Sequence, residues 1–212
     1  GKLLKPLGEL EFEDAYNMFK KIAVTGEKAG ADLVTIETMN DVYEMKAAVL
    51  AVKENTKLPI FVTLTLDERG KTLTGTDAEI EVAIFEGLGV DALGVNCGLG
   101  PFQMDGIIDQ LLENASVPVI INPNAGLPEF RNGEFVYDIT DDQFSEKMIE
   151  FAKKGALVIG GCCGTTADHI SKTIAKCKKV DVKTIVKSCS KSKKITSYSK
   201  IVNMENNPNP SI

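Results

Sequence analysis

The stretch EGLGVDALGVNC, residues 86–97, combines the end of an amphipathic segment, a glycine and a short apolar run that finishes on polar residues. The same plan occurs at residues 27–38, EKAGADLVTIET, and at residues 152–163, AKKGALVIGGCC. Two further apolar runs, at residues 59–64 and 118–121, lack alternation, which is typical of strands buried on both faces. The sequence therefore predicts five strands, at about residues 32–37, 59–65, 91–96, 118–122 and 156–160.

The segments between these strands have helical spacing, and two of them carry clear start signals. Thr76 with Glu79 and Thr140 with Gln143 each match the capping-box pattern, in which two side chains three residues apart bond each other's backbone amides. Helices that alternate with strands indicate a parallel sheet covered by helices.

Such a sheet can be open and doubly wound or closed into a β/α-barrel, and the polar residues favour the barrel. Six polar residues lie at or just beyond the C-terminal ends of four predicted strands: Glu37, Cys97, Asn122, Asn124, Cys162 and Cys163. A barrel brings such ends around one mouth. We therefore expect about five of the eight strands of a (β/α)8 TIM barrel, truncated at its N-terminus.

The composition changes near the end of the chain. Residues 1–186 form the predicted barrel domain, whereas residues 187–212 are rich in Ser, Lys and Asn and are expected to be a linker or tail. The 212-residue chain is 43% hydrophobic, which is enough for one globular core.

The charge and hydropathy exclude several classes of partner. The net charge of -6 lacks the positive excess that is typical of proteins binding nucleic acid or acidic membranes, so a small neutral or zwitterionic partner is expected. The chain has no run of about 18 apolar residues and no signal-peptide core at its start, which predicts a cytoplasmic location. Five cysteines, an odd number, favour free thiols over a disulfide framework.

The positions of three cysteines are compatible with a metal site. Cys97 lies in GVNCGLGP, and Cys162 and Cys163 follow 65 residues later in GGCCGTT. Thiolates suit zinc, and a catalytic zinc site has three protein ligands and one open position. Adjacent residues in a strand point to opposite faces, so the pair can share a metal only if the chain leaves the pleat, which its neighbouring glycines allow. From spacing alone, packing residues or a redox pair remain alternatives.

Several separated motifs resemble one known family. GVNCGLGP, PNAG at residues 123–126 and GGCCGTT at residues 160–166 together resemble the signature of the homocysteine S-methyltransferase family. TLTGTD at residues 72–77 and IET at residues 36–38 occur in matching order. The resemblance runs from residue 1 to about residue 180 and is strongest to the homocysteine-binding module of the family's cobalamin-dependent members.

The resemblance implies a site and a reaction. Cys97, Cys162 and Cys163 are implied to bind a catalytic Zn²⁺ whose open position takes homocysteine, which is methylated to methionine. Metal coordination deprotonates a thiol whose ordinary pKa is about 8.5 and thereby makes its sulfur nucleophilic. Glu37, in the IET motif, is implied to hold the α-ammonium group of homocysteine; from its position alone it is equally well a solvated glutamate at the start of a loop.

The resemblance also implies partners. The methyl donor expected is methylcobalamin carried by another domain, with S-methylmethionine and betaine as alternatives. The start GKLLKPLGEL resembles the loop after the family's third strand, so a missing N-terminal barrel segment and folate and cobalamin domains or subunits are expected. The rival interpretation is a non-catalytic zinc-binding fragment of a truncated methyltransferase.

The remaining candidate residues are expected to be structural. His169, the only histidine, is predicted to be a helix-end or surface residue because three cysteines complete the ligand set. Cys177 and Cys189 lie away from the strand ends and are expected to be incidental thiols. Three asparagines are expected to support loops and backbone groups: Asn96, Asn122 and Asn124.

Overall fold

The computed structural model describes residues 3–181 and 193–205 of the chain. Helices and short strands alternate through most of this part. In chain order its elements are α1 (Phe12–Lys28), β1 (Val34–Met39), α2 (Val42–Asn55), β2 (Ile60–Leu64), α3 (Ala78–Leu88), β3 (Ala92–Asn96), α4 (Asp105–Asn114), β4 (Val119–Asn122), β5 (Glu129–Arg131), β6 (Glu134–Val136), α5 (Asp141–Lys154), β7 (Val158–Ile159), α6 (Ala167–Cys177), β8 (Lys194–Thr196) and β9 (Ile201–Asn203). Among these helices none is long and apolar enough to cross a membrane.

Five strands form one parallel sheet in the order β1-β2-β3-β4-β7. A helix crosses between each neighbouring pair, and the strand order follows the chain without reversal. This order is that of consecutive strands in a β/α-barrel, whereas a doubly wound sheet reverses at a switch point. The five predicted strands are confirmed, with ends that differ from the prediction by two residues at most.

The main core lies between one face of this sheet and the helices. Strand residues that alternate toward this face include Val62, Leu64, Leu93 and Val95, all of them buried. Burying a side chain of this size contributes about 1.5–3 kcal/mol to the free energy of folding. The helices contribute the largest fully buried side chains, among them Met45, Phe85, Phe144, Met148 and Phe151.

The two predicted helix caps have different outcomes. The capping box of Thr140 and Gln143 is present at the start of α5. The box predicted for Thr76 and Glu79 is wrong by one residue, because the side chain of Asp77 caps α3 by accepting a hydrogen bond from the amide of Ile80 at 3.1 Å. The hydroxyl of Thr76 instead donates to the carbonyl of a residue far along the chain, in the loop between β8 and β9.

A hairpin that was not predicted, β5–β6, extends from the chain between β4 and α5. Its turn is formed by Asn132 and Gly133, which both have positive φ, 52° and 90°. Asn-Gly is the dipeptide that most favours such a two-residue hairpin turn, so this signal was present in the sequence. Phe130 and Phe135 pack edge to face across the hairpin and are both exposed.

The second hairpin, β8–β9, lies inside the segment that was expected to be a linker or tail. Lys194 binds Glu79 and Asn114 at 2.9 and 3.0 Å, and the ring of Tyr198 lies 5.9 Å from that of Tyr43. This part of the segment therefore packs against the barrel helices. The domain boundary near residue 187 stays a prediction, and residues 182–192 and 206–212, together with Cys189, lie outside the described residues.

Glu81 on α3 is a fully buried carboxyl group. The backbone groups of Gly94 and Leu64 approach it, but neither oxygen has a hydrogen-bond partner of good geometry among the described residues. Burial raises the pKa of Glu81 well above its ordinary value, because the charged form loses its hydration. We therefore expect Glu81 to be protonated in the folded protein at neutral pH.

Glu81→Gln should stabilise the protein increasingly as the pH rises. Glu81 ionises in the unfolded chain above a pKa of about 4.3 but stays neutral when folded, which lowers the wild-type free energy of unfolding by about 1.4 kcal/mol per pH unit until the folded-state pKa is reached. Glutamine has nearly the same shape as glutamate and does not ionise, so the free energy of unfolding of the variant should not fall with pH for this reason. Urea unfolding at pH 4.5 and pH 7 measures it, with the exposed Glu113→Gln as the control. An equal difference between variant and wild type at both pH values would contradict a neutral Glu81.

Candidate metal centre

Three cysteine sulfurs meet at the C-terminal ends of the strands. Cys97 directly follows β3, and Cys162 and Cys163 lie in the loop after β7. The three Sγ atoms all lie within 4.8 Å of one another, and those of Cys97 and Cys163 are 3.9 Å apart. Zn–S bonds of about 2.3 Å in a tetrahedron place sulfurs about 3.8 Å apart. The spacing of the three sulfurs therefore fits one zinc ion.

The backbone at Cys97 bends sharply to place its side chain at this point. Cys97 has a φ of +59°, in the left-handed region, which costs a non-glycine residue about 1–2 kcal/mol. Its amide donates to the carbonyl of Asn122 on the neighbouring strand at 3.0 Å, and its carbonyl accepts from Leu99 at 2.7 Å. Gly98 continues the bend with a φ of +70°, and a side chain there would contact Thr65 at 2.9 Å.

The double-cysteine loop is held by the chain that follows β4. The amide of Cys162 donates to the carbonyl of Pro123 at 2.8 Å, and the amide of Cys163 donates to Oδ1 of Asn124 at 3.0 Å. Strand β7 ends at Ile159, so both cysteines lie beyond the pleat. The predicted departure from extended structure is confirmed, and it lets adjacent cysteines approach the same point.

Asn96 connects three elements beneath the sulfur cluster. Its buried Oδ1 accepts hydrogen bonds from the Thr38 amide at 2.8 Å and the Thr63 hydroxyl at 2.7 Å. Its Nδ2 donates to the Thr38 hydroxyl at 2.7 Å and lies 3.8 Å from Sγ of Cys162. A fully bonded amide has one fixed orientation, so Asn96 is placed to orient the Cys162 sulfur. The expected supporting role of this asparagine is confirmed.

Glu37 lies near the end of β1, on the face of the sheet opposite the helices. Ile36 pairs in register with the core residue Val62, and the pairing of β1 with β2 becomes irregular only after Ile36. Ile36 is buried and the next residue, Glu37, is exposed, which places Glu37 on the same face as Thr63 and Asn96. The side chain of Glu37 is exposed, and the described residues provide it with no hydrogen bond or ion pair. Its carboxylate is thus available to a ligand, and its role in substrate binding stays a prediction.

The electrostatics of the cluster favour a bound cation. Burial raises the pKa of Cys162 to about 12, and the neighbouring Cys97 is the next cause. Three thiolates this close repel one another unless a positive charge lies between them. Soft sulfur donors at these distances suit Zn²⁺ better than a hard cation such as Mg²⁺. The chemistry of the donor set therefore fits zinc.

An open groove of about 450 Å³ lies beside Cys97. It is formed mainly by the loop between β2 and α3, with the bend after Cys97 as part of its wall. The groove gives a small molecule access to this edge of the sheet. Its polar and backbone lining includes Thr65, Asp67, Arg69, Lys71, Thr72 and Gly98.

His169 and Cys177 do not join the cluster. His169 lies in the first turn of α6, where Nδ1 contacts the Thr166 hydroxyl at 2.8 Å and Nε2 contacts the Ile139 carbonyl at 3.0 Å. It is a helix-end residue as predicted, but it is buried and not on the surface. Cys177 is partly buried at the end of the same helix, and burial raises its pKa.

The sequence patterns missed two residues next to the cysteines. Thr38, with a φ of +62°, turns the end of β1 toward Asn96, and Tyr137 follows the β5–β6 hairpin and places its ring against Gly164, next to Cys163. Thr38 belongs to the IET motif, and the Asn-Gly turn before Tyr137 indicates that the chain returns toward its starting point. The IET motif could have identified Thr38, whereas the Asn-Gly turn predicts the hairpin before Tyr137 but not the contact that its ring makes.

The fold and the cluster together define a β/α-barrel protein with a three-thiol centre at the C-terminal mouth. The sequence model of the family described as Homocysteine S-methyltransferase matches residues 1–177. The chain therefore belongs to the homocysteine S-methyltransferase family.

Two curated relatives are large proteins named methionine synthase. The chain is 35% identical over 181 residues to the one from Mycobacterium leprae (strain TN) and 33% identical over 181 residues to the one from Mycobacterium tuberculosis (strain ATCC 25618 / H37Rv). Each match covers 82% of this chain and 15% of the relative. The chain thus spans less than a sixth of these proteins.

Solved structures show the same fold. The homocysteine methyltransferase MmuM from Escherichia coli, in its apo form, matches with a TM-score of 0.66 and 24% identity, over 79% of this chain and 58% of that chain. Its metallated form matches with the same TM-score and identity over 53% of that chain. The described sheet therefore corresponds to part of a barrel.

Proposed function

We propose that this chain is the zinc-binding part of a homocysteine methyltransferase domain, and that the domain transfers a methyl group to the thiol of homocysteine to give methionine. The observation that carries the proposal is the convergence of Cys97, Cys162 and Cys163 within 4.8 Å at two strand ends of a barrel sheet. Membership of the homocysteine S-methyltransferase family supports it.

Different residues of the chain would bind the metal and orient its ligands in such a site. When bound, Zn²⁺ would supply the positive charge that lets a thiol lose its proton near neutral pH. The three negative charges of the cysteine thiolates exceed the two positive charges of the cation. The centre would therefore be electron-rich, and the sulfur of a bound substrate thiol would stay nucleophilic. Asn96 fixes the orientation of Cys162, and the carbonyl of Asn122 fixes the bend at Cys97.

Glu37 would hold the substrate by its amino group. Its exposed carboxylate lies on the same sheet face as Asn96, which contacts Cys162. A carboxylate there can pair with the α-ammonium group while the thiol of the same molecule points to the metal. The proposed substrate is therefore an amino acid with a side-chain thiol, as homocysteine is.

Glu37→Gln should weaken homocysteine binding without removing zinc. The change keeps the shape of the side chain and removes its charge, and a charge-assisted hydrogen bond is worth about 1.5–3 kcal/mol, or roughly a tenfold to hundredfold change in Kd. Calorimetric titration of homocysteine into the zinc-loaded, complete barrel measures this change. Glu13→Gln, on the exposed side of α1, is the matched control. An unchanged Kd would assign Glu37 to structure alone.

We further propose methylcobalamin, carried by another domain of a cytoplasmic methionine synthase, as the methyl donor. The curated relatives support this donor because both are named methionine synthase and extend far beyond the matched region, which leaves room for carrier domains. S-methylmethionine and betaine are the alternatives.

The test supplies each donor separately to a zinc-loaded, complete barrel with homocysteine. Methionine should form with methylcobalamin faster than with S-methylmethionine or betaine. Faster turnover with either alternative would assign the domain to another branch of the family. If homocysteine and zinc bind but no donor yields methionine, the site is a non-catalytic remnant.

A further inference from the structure

The loop at residues 71–77 forms one wall of the groove beside Cys97, and Thr72 and its two neighbours line that wall. Two hydrogen bonds close the loop on itself. The amide of Thr72 donates to the carbonyl of Thr76 at 2.8 Å, and the amide of Thr76 donates to the hydroxyl of Thr72 at 3.0 Å. Both threonines are buried. The position of Thr76 therefore determines the position of the residues that line the groove.

The turn of the β8–β9 hairpin contacts this loop. The hydroxyl of Thr76 donates to the carbonyl of Tyr198 at 2.5 Å, and Thr76 is fully buried. A Cβ added to Gly75 would lie 3.5 Å from Cβ of Ser199, so the two backbones are also close at this point. The groove wall is thus in contact with a segment that follows the last barrel helix.

The hairpin is also attached to the barrel helices, independently of this loop. Nζ of Lys194 binds Glu79 on α3 at 2.9 Å and Asn114 at the end of α4 at 3.0 Å. Its side chain is only 17% exposed, so water and salt screen the ion pair less than they screen a pair on the open surface. Three residue pairs join β8 to β9. A hairpin that is held in this way can fix the loop in one place.

We infer that the β8–β9 hairpin positions the wall of the groove, and that Thr76 is the positioning residue through which it does so. The segment after the barrel thereby affects the shape of the groove and the binding of a small molecule that enters it. The contacts that carry this inference lie within the chain and do not depend on a ligand. Its consequence for homocysteine rests on the proposed function.

Thr76→Val should loosen both the loop and the hairpin. Valine has nearly the same shape as threonine but no hydroxyl, so the carbonyl of Tyr198 loses this donor. Amide hydrogen exchange of the full chain at residues 71–77 and 193–205 should become about twofold to tenfold faster. Thr76→Ser keeps the hydroxyl and should retain the slow exchange of the wild type. The matched control is Thr25→Val, which removes a hydroxyl bond within α1.

Lys194→Met tests whether the effect passes from the hairpin to the loop. The change removes the bonds to Glu79 and Asn114 and leaves every residue of the loop intact. Exchange at residues 71–77 should nevertheless become faster. Lys200→Met, which changes an exposed side chain in the turn of the same hairpin, is the control. Unchanged exchange of the loop in Lys194→Met would overturn the inference.

A measurement on the wild-type chain does not depend on the folding of any variant. A hairpin that is docked on the helices protects its backbone amides, so residues 193–205 should exchange more slowly than an unstructured peptide of the same sequence. Exchange of this segment at the rate of the free peptide would show that it does not dock, and the inference would then be wrong.

The consequence for the groove is measured in the zinc-loaded, complete barrel by calorimetric titration with homocysteine. Thr76→Val should raise the Kd about twofold to tenfold without lowering the zinc content. If the wild type binds no homocysteine, the proposed function fails and the exchange results still decide whether the hairpin positions the loop. If both proteins bind homocysteine equally while the loop of the variant exchanges faster, the effect of the hairpin on the ligand is overturned.

Discussion

Replacing Cys162 with alanine should lower the zinc content of the purified chain from about one ion per molecule to close to none. Two remaining thiols leave the ion with an incomplete ligand set, and Cys162 is the sulfur that contacts Asn96 beneath the cluster. Alanine keeps the backbone hydrogen bond from residue 162 to the carbonyl of Pro123, so the loop itself should fold as before.

Metal analysis after extensive dialysis gives the ratio of zinc to protein. Cys177→Ala is the matched control, because it removes a partly buried thiol from α6 without touching the cluster. Zinc content that is unaffected by Cys162→Ala would remove the central proposal of a three-cysteine site. Loss of zinc in both variants would indicate a general loss of folding, which the thermal unfolding of each variant resolves.

A second large effect is expected from completing the barrel. The chain described here should form no methionine from homocysteine and methylcobalamin, and addition of an N-terminal segment with three βα units should produce turnover. Within the described residues, β1 pairs only with β2 and β7 only with β4, so both edges of the sheet are open. A closed barrel has eight strands, and a misplacement of about 1 Å in reacting groups can lower a rate about a hundredfold.

The direct measurement compares methionine formation by the two proteins at equal zinc loading. The extended chain carrying Cys162→Ala serves as the negative control for metal-independent methyl transfer. Turnover by the shorter chain as a monomer at a rate similar to that of the extended chain would show that the added strands are not needed. Turnover by neither protein, with homocysteine bound by both, would favour the non-catalytic interpretation.

The strands and the cysteine cluster were predictable because they depend on local signals. A short apolar run such as residues 118–121 indicates a strand buried on both faces, since each side of a parallel sheet must be covered. The glycines around Cys162 and Cys163 indicate a departure from the pleat. The chemical role of the cysteines came from the family resemblance, because adjacent cysteines alone are compatible with packing or redox roles.

The features that were missed depend on contacts between distant parts of the chain. The hydroxyl of Thr76 donates to the carbonyl of Tyr198 at 2.5 Å, 122 residues away, so the local capping pattern at α3 could not reveal that Asp77 takes over the cap. The contact between the ring of Tyr137 and Gly164 likewise depends on the path of the hairpin. Helix-start and strand patterns describe neighbours within a few residues, and they carry no information on such contacts.

The attachment of both cysteine segments to the end of β4 couples the metal to the architecture. The backbone amide of Cys97 donates to the carbonyl of Asn122, and that of Cys162 donates to the carbonyl of Pro123. Strand β7 itself pairs with β4 through only two residue pairs. An ion bound by these cysteines would connect the end of β3 to the end of β7 across β4, and it would thereby stabilise the attachment of β7 to the sheet. Whatever closes the sheet beyond β7 should then tighten ion binding, and the ion should favour closure by the same free energy.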